Sequence, residues 1–223
     1  MLEPLLHEKL RPFFDRLVNV TVEVQNHGAD GGANVGSGAV ITECGLIITA
    51  AHVVKRSRVV IVRRLRLEKK RWRMRAYGKY KADVIYRDNR TDIAVLKLRQ
   101  PPEGLKAVVL GNSDAVKVGW PLYRVGRDRI PLGAGYVIRI VPYRRRMKEF
   151  YVGMDANLAA SGGPVCNDSA ELVGICLESE KCDNLPPAAF ALTMADIRHR
   201  VLRRKEIREC LDPETADKIC GPP

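Results

Sequence analysis

No stretch of this chain approaches the roughly 20 apolar residues that a membrane-spanning helix needs, which excludes such a span. No Cys-x-x-Cys pair occurs, so the spacing of a zinc site is missing and neither a metal nor a cofactor is expected. Acidic residues are outnumbered, 26 against 38 Lys and Arg, which leaves a net charge of +12. Histidine is confined to His7, His27, His52 and His199. General-base chemistry near neutral pH therefore has few places to sit. The N-terminal stretch MLEPLLHEKLRPFFDRLV lacks the apolar core and small-residue cleavage site of a secretory signal. That absence predicts a cytoplasmic product.

Against this background, 223 residues with 46% hydrophobic content suit two small lobes around a real core. The positive charge concentrates in residues 55–90, where fifteen Lys or Arg face three acids. Such a field attracts nucleic acid or an acidic partner, or it is simply a solvated face. Trp72, Tyr77, Tyr80 and Tyr86 interleave with these cations, as base-stacking residues or as one face of a barrel strand. Six cysteines permit disulfides, with Cys210 and Cys220 the first pair to check, but no export signal argues for reduced thiols.

Hydrophobic spacing predicts a helix over 3–17, interrupted at Pro12, and then a half-buried strand in which Val18, Val20, Val22 and Val24 alternate with polar residues. A glycine-rich loop is expected over 26–38. Two short strands then flank a Glu43-Cys44-Gly45 turn and lead to a small-residue turn or short helix carrying His52. Long strands turn at Glu68-Lys69-Lys70, and TDIAVLKL forms a strand ended by Pro101-Pro102. KAVVLGN, WPLYRVG, GAGYVIRIVPY, EFYVGM, AELVGICLE and AAFALT read as further short strands. MADIRHRVLRRKEIREC reads as one basic helix. The expected organisation is an N-terminal helix over 1–17, β lobes over 18–104 and 105–195, and a helix and tail over 196–223.

Three residues sit at strand edges or turns in the order His52, Asp92, Ser161. The residue types suit nucleophilic catalysis. A serine hydroxyl is a weak nucleophile until a base takes its proton. A carboxylate on the other imidazole nitrogen fixes the tautomer and stabilises the imidazolium. The N–H groups of Ala159 and Ser161 would form an oxyanion hole, each donor being worth about 100- to 1000-fold. An order of serine, aspartate, histidine through His199 is disfavoured, because His199 lies in a basic helical stretch and Ser161 is not in Gly-x-Ser-x-Gly.

The segments GSGAVITECGLIITAAHVV, TDIAVLKL, VVLGNSDAVKVGWPLYRVG, SGGPVCNDSAELVGI and FALT occur in one order. Together they resemble a trypsin-like serine peptidase of the chymotrypsin fold, nearest in pattern to the HtrA/Deg type, over roughly residues 18–195. The resemblance implies an all-β protein of two antiparallel six-stranded barrels, with an N-terminal and a C-terminal helix and a cleft between the barrels. It maps the base onto His52, the orienting carboxylate onto Asp92 and the nucleophile onto Ser161, and it leaves no room for a PDZ domain.

The sequence departs from the family in its oxyanion turn, where Ala159 and Ala160 stand in place of glycine and Asp or Asn. A Cβ can hinder the backbone conformation of the hole, while alanine still carries the N–H donor and leaves the hole open to form. Asp155 lies six residues before Ser161, where an aspartate floors the pocket of trypsin; the competing alignment gives it no such part. The pocket walls are expected near Leu177, Ser179 and Ala189. The principal reading is a serine endopeptidase acting on protein or peptide through an acyl-enzyme. The alternative is an inactive protease fold serving as a basic binding module for nucleic acid or an acidic partner.

Overall fold

The computed structural model describes residues 3–27, 33–68, 73–126, 132–143, 147–154, 160–180 and 188–220. Among the described residues, twelve strands form two closed barrels, each of six antiparallel strands. The first contains β1 (Thr21–His27), β2 (Ala33–Val40), β3 (Leu46–Ala50), β4 (Val59–Glu68), β5 (Arg73–Asp88) and β6 (Ile93–Leu98), ordered β1-β2-β3-β6-β5-β4. The second contains β7 (Pro121–Val125), β8 (Leu132–Tyr143), β9 (Met147–Gly153), β10 (Pro164–Cys166), β11 (Leu172–Glu180) and β12 (Ala188–Thr193), ordered β10-β11-β12-β9-β8-β7. Closure leaves neither sheet with an open edge.

Helix α1 (Glu3–Asn19) continues through Pro12, although proline removes one helical hydrogen bond there. Its last turns pack on the barrels: Leu17 is buried, and the Phe13 and Tyr123 rings meet edge to face at 4.8 Å. The helix extends past Val18, so the alternating strand begins only at Thr21. Nor is that strand half-buried, because Thr21 and Glu23 lie inside with Val22 and Val24. Helix α1 contacts β1, and the Glu23 carboxylate accepts Gln25 Nε2 at 2.7 Å and lies 3.5 Å from Arg63 Nη1.

The expected loop over 26–38 is largely strand, with only 28–32 outside the described residues. Glycine in β2 serves close packing rather than a turn. A Cβ at Gly36 would lie 2.5 Å from Val53 Cγ2 and 2.9 Å from Ser161 O. The KAVVLGN strand does not form: residues 106–112 are irregular, except for a bridge from Leu110 to Leu172.

The basic helix also differs from expectation. Helix α3 (Met194–Ile197) widens into a π-type turn (Arg198–Leu202), breaks, and is followed by α4 (Lys205–Arg208) and α5 (Pro213–Cys220). Burial of Val201, Leu202 and Ile207 explains the break, since one straight helix has no face that buries all three against the barrels. No helix among the described residues is long and apolar enough to cross a membrane.

Candidate active site

Strand β3 is buried along its whole length and runs directly into α2 (Ala51–Val54), which carries His52. Antiparallel pairing of β3 with β6 sets Ala50 opposite Ile93, the residue after Asp92. The two residues far apart in sequence are thus delivered to the same end of the barrel. Asp92 has φ +56°, a left-handed conformation that aspartate tolerates better than most side chains.

Asp92 holds the His52 segment at three points. Its Oδ2 lies 2.7 Å from His52 Nδ1, its Oδ1 accepts the His52 backbone N–H at 2.8 Å, and its carbonyl accepts the Ala51 N–H at 2.9 Å. A carboxylate on Nδ1 fixes the proton there and leaves Nε2 as the basic nitrogen. From the other side, Asn34 Nδ2 donates to His52 O at 2.9 Å and to Val53 O at 3.0 Å. The imidazole stays accessible, with 47% of the His52 side chain exposed, whereas 25% of Asp92 is exposed.

Ser161 belongs to the turn leading into β10 and is 6% exposed. Its carbonyl accepts the Ser37 N–H at 2.8 Å, a bond from the first barrel to the second. The Ser37 carbonyl in turn accepts Thr49 Oγ1 at 2.6 Å, and Thr49 lies three residues before His52. Gly162 has φ +84°, and a Cβ on it would approach Ala50 N to 2.8 Å. Its N–H donates to Cys176 O at 2.6 Å. Ser37, Thr49 and Gly162 therefore lock the serine turn against the end of β3.

The remaining sequence-predicted site residues are distributed as follows. Ala159 and Asp155 lie outside the described residues; Ala160 is buried in the second core. Leu177 is buried at a register shift between Cys176 and Glu178 in β11, and irregularities of this kind re-aim side chains. Ser179 pairs with Ala189 across β11 and β12. Asn34, Ser37 and Thr49 were not singled out from the sequence. The only signal for Asn34 and Ser37 was the small-residue run NVGSG, whose spacing does not show which barrel it faces, and Thr49 lies in the apolar run LIITA.

The five described cysteines, Cys44, Cys166, Cys176, Cys210 and Cys220, are all free. Burial pushes the Cys166 thiol pKa far up and the Cys176 thiol to about 11. Among the basic strands, the Arg64 and Arg66 guanidinium groups lie 5.5 and 5.8 Å from the Tyr77 ring, and Tyr80 and Tyr86 pack partly against the core. Trp72 lies outside the described residues.

The family model for the trypsin-like peptidase domain matches residues 36–175, more than half of the chain. A probable periplasmic serine endoprotease, DegP-like, of Pseudomonas fulva is 31% identical over 75% of this chain and 35% of its own length. A serine protease HtrA-like of Staphylococcus epidermidis is 29% identical over 74% of this chain and 30% of its own length. The periplasmic serine endoprotease DegP of Salmonella typhimurium is 32% identical over 67% of this chain and 32% of its own length. This chain thus spans about a third of the length of the curated relatives it matches. In structure, a serine endoprotease from Yersinia pestis covers 91% of this chain and 66% of its own, with TM-score 0.68 and 23% identity, a likeness of fold.

These relatives correct the cytoplasmic expectation, because those from Pseudomonas and Salmonella are named periplasmic. The expectation rested on the absence of a signal-like stretch, and an absence carries no address; what the structure shows is that Phe13 and Leu17 of α1 pack on the barrels. The comparisons also favour the peptidase over the basic binding module. On the matched residues and the two closed barrels, the chain belongs to the trypsin-like peptidase family.

Proposed function

We propose that this chain is an HtrA-type serine endopeptidase domain in which His52, Asp92 and Ser161 form the catalytic triad. The observation that carries this reading is the double engagement of His52 by Asp92, at Nδ1 and at the backbone N–H. In the first step His52 Nε2 takes the Ser161 hydroxyl proton as Oγ bonds to the peptide carbonyl carbon. The carbon–nitrogen bond then breaks, and His52 returns the proton to the departing amine. In the second step water adds to the acyl carbon, His52 takes its proton, and Ser161 Oγ leaves and recovers that proton. Asp92 stays ionised throughout and stabilises the imidazolium.

The Ser161 N–H, with that of Ala159, supplies the oxyanion hole. The two N–H groups that follow are already engaged, Gly162 with Cys176 O at 2.6 Å and Gly163 with Ala160 O at 2.9 Å. Lobes 18–104 and 105–195 meet at this site through Ser37 and Ser161. The pocket for the side chain before the cut lies along β11 and β12 near Leu177, Ser179 and Ala189. A periplasmic or secreted setting follows the relatives, and the substrate is a protein or peptide.

The test is cleavage of an unfolded protein substrate by the chain and by Ser161→Ala. Fragments formed by the first and not by the second support the reading; equal cleavage by both overturns it. Mapping the cut sites also tests Asp155: cuts confined to positions after Arg or Lys, and lost in Asp155→Ala, would make it the pocket floor.

A further inference from the structure

Away from His52 and Ser161, a cleft of about 360 Å³ opens between the end of β5 and the π-type turn. Tyr86, Asp88, Thr91, Arg200, Arg203 and Arg204 are in its wall. Three guanidinium groups thus share a small concavity with one carboxylate. Among the described residues none of the three lies within ion-pair distance of a carboxylate. Asp88 instead accepts the Arg90 N–H at 2.8 Å.

The arginines are held in place by neutral partners. Arg203 Nε donates to Cys220 O at 3.2 Å, and Arg204 Nε donates to Arg200 O at 3.4 Å. The Arg204 guanidinium also lies 5.9 Å from the Tyr86 ring. These contacts orient the groups without cancelling their charge.

Two polar atoms in the same wall have no partner. Thr91 Oγ1 and Arg200 Nε are both withdrawn from solvent and make no hydrogen bond. Thr91 is 3% exposed. Folded proteins rarely leave such atoms unsatisfied, and both can donate a hydrogen bond. An anion with several oxygens meets both demands at once, neutralising the guanidinium charge and accepting from the orphaned donors.

We propose that this cleft is an oxyanion-binding site that takes a multiply charged carboxylate or phosphate group. The volume exceeds that of a single bare anion, so the group is borne on a small molecule or shares the site with water. This assignment rests on the cleft alone and is independent of the peptidase reading.

The test is titration of the full chain with pyrophosphate and, separately, with citrate at constant ionic strength. Binding is read from the arginine ¹⁵Nε–H resonances, with Arg200 assigned from Arg200→Lys. The expected result is a saturable shift of the Arg200 signal. Its dissociation constant should rise at least tenfold in Arg200→Gln and several-fold in Thr91→Val, and stay unchanged in Arg66→Gln on the basic strand β4. Response to pyrophosphate alone identifies a phosphate site, to citrate alone a carboxylate site, and to both a site for either. Absence of a saturable shift with both anions overturns the proposal, as does equal weakening by Arg66→Gln. Should Arg200→Gln fail to fold, the wild-type Arg200 shift and Arg204→Gln decide the question.

Discussion

Asp92 uses both carboxylate oxygens on one residue: Oδ2 faces His52 Nδ1 at 2.7 Å while Oδ1 accepts the His52 N–H at 2.8 Å. The side chain thus fixes the ring and the backbone that carries it. Replacing Asp92 by Asn keeps the size but turns one oxygen into a donor. If that nitrogen faces Nδ1, the imidazole must hold its proton on Nε2, where it cannot accept one from serine. Asp92→Asn is expected to lower kcat by about 10⁴-fold, the loss known for the corresponding change in the trypsin triad. KM should change little, and a kcat within tenfold of wild type would remove Asp92 from the catalytic role.

Gly36 lies against the carbonyl of the nucleophile's residue, where the two barrels meet. A Cβ there would meet Val53 Cγ2 at 2.5 Å and Ser161 O at 2.9 Å. Gly36→Ala should destabilise the fold by about 1–3 kcal/mol, as overpacking does, and reduce activity by displacing the serine turn. Adding Val53→Ala relieves only the first clash. The double variant should regain thermal stability without regaining activity. Recovery of both would show that Gly36 does not position Ser161.

The alanines before the nucleophile make a separate prediction. If the Ala159 Cβ hinders the oxyanion conformation, Ala159→Gly should raise kcat with little change in KM. A loss of activity would mean that the alanine is already compatible with the hole and that glycine only adds unfolded-state freedom.

The cysteines differ in exposure and in acidity. Cys44 is exposed, with Lys97 Nζ 3.3 Å from its Sγ, whereas Cys166 and Cys176 are buried. A maleimide reagent at neutral pH should therefore modify Cys44 well before either buried thiol. Because burial raises the Cys176 pKa from 9.0 to about 11, the unfolded chain loses this proton first. The contribution is present below pH 9 and is lost as pH rises toward 11. Unfolding free energy should fall across that window, less steeply in Cys176→Ala; an unchanged slope would contradict the assigned burial.

Much of this site was legible in sequence because its residues sit in strongly patterned surroundings. His52 follows the apolar run LIITAA, and Asp92 precedes IAVLKL; both runs are buried strands, so their ends could be located. Many short strands with regular turns fit a barrel or a sandwich alike, and the two barrels followed only from the resemblance to trypsin-like peptidases. The errors arose where tertiary packing overrides local pattern. Thr21 and Glu23 look like a wet face but are covered by other elements, and the polar, small-residue β2 resembles a loop. The clamps from Ser37 and Thr49 onto the serine turn depend on which strands face each other between barrels. That relation carries no local sequence period.

The central claim is that Ser161 is a nucleophile activated by His52. Its most direct test is reaction of the folded chain with a fluorophosphonate, followed by mass spectrometry to find the modified residue. The account predicts a single adduct on Ser161, absent in Ser161→Ala and strongly slowed in His52→Ala. Labelling that persists unchanged in His52→Ala, or no adduct on Ser161 in the wild-type chain, would contradict it.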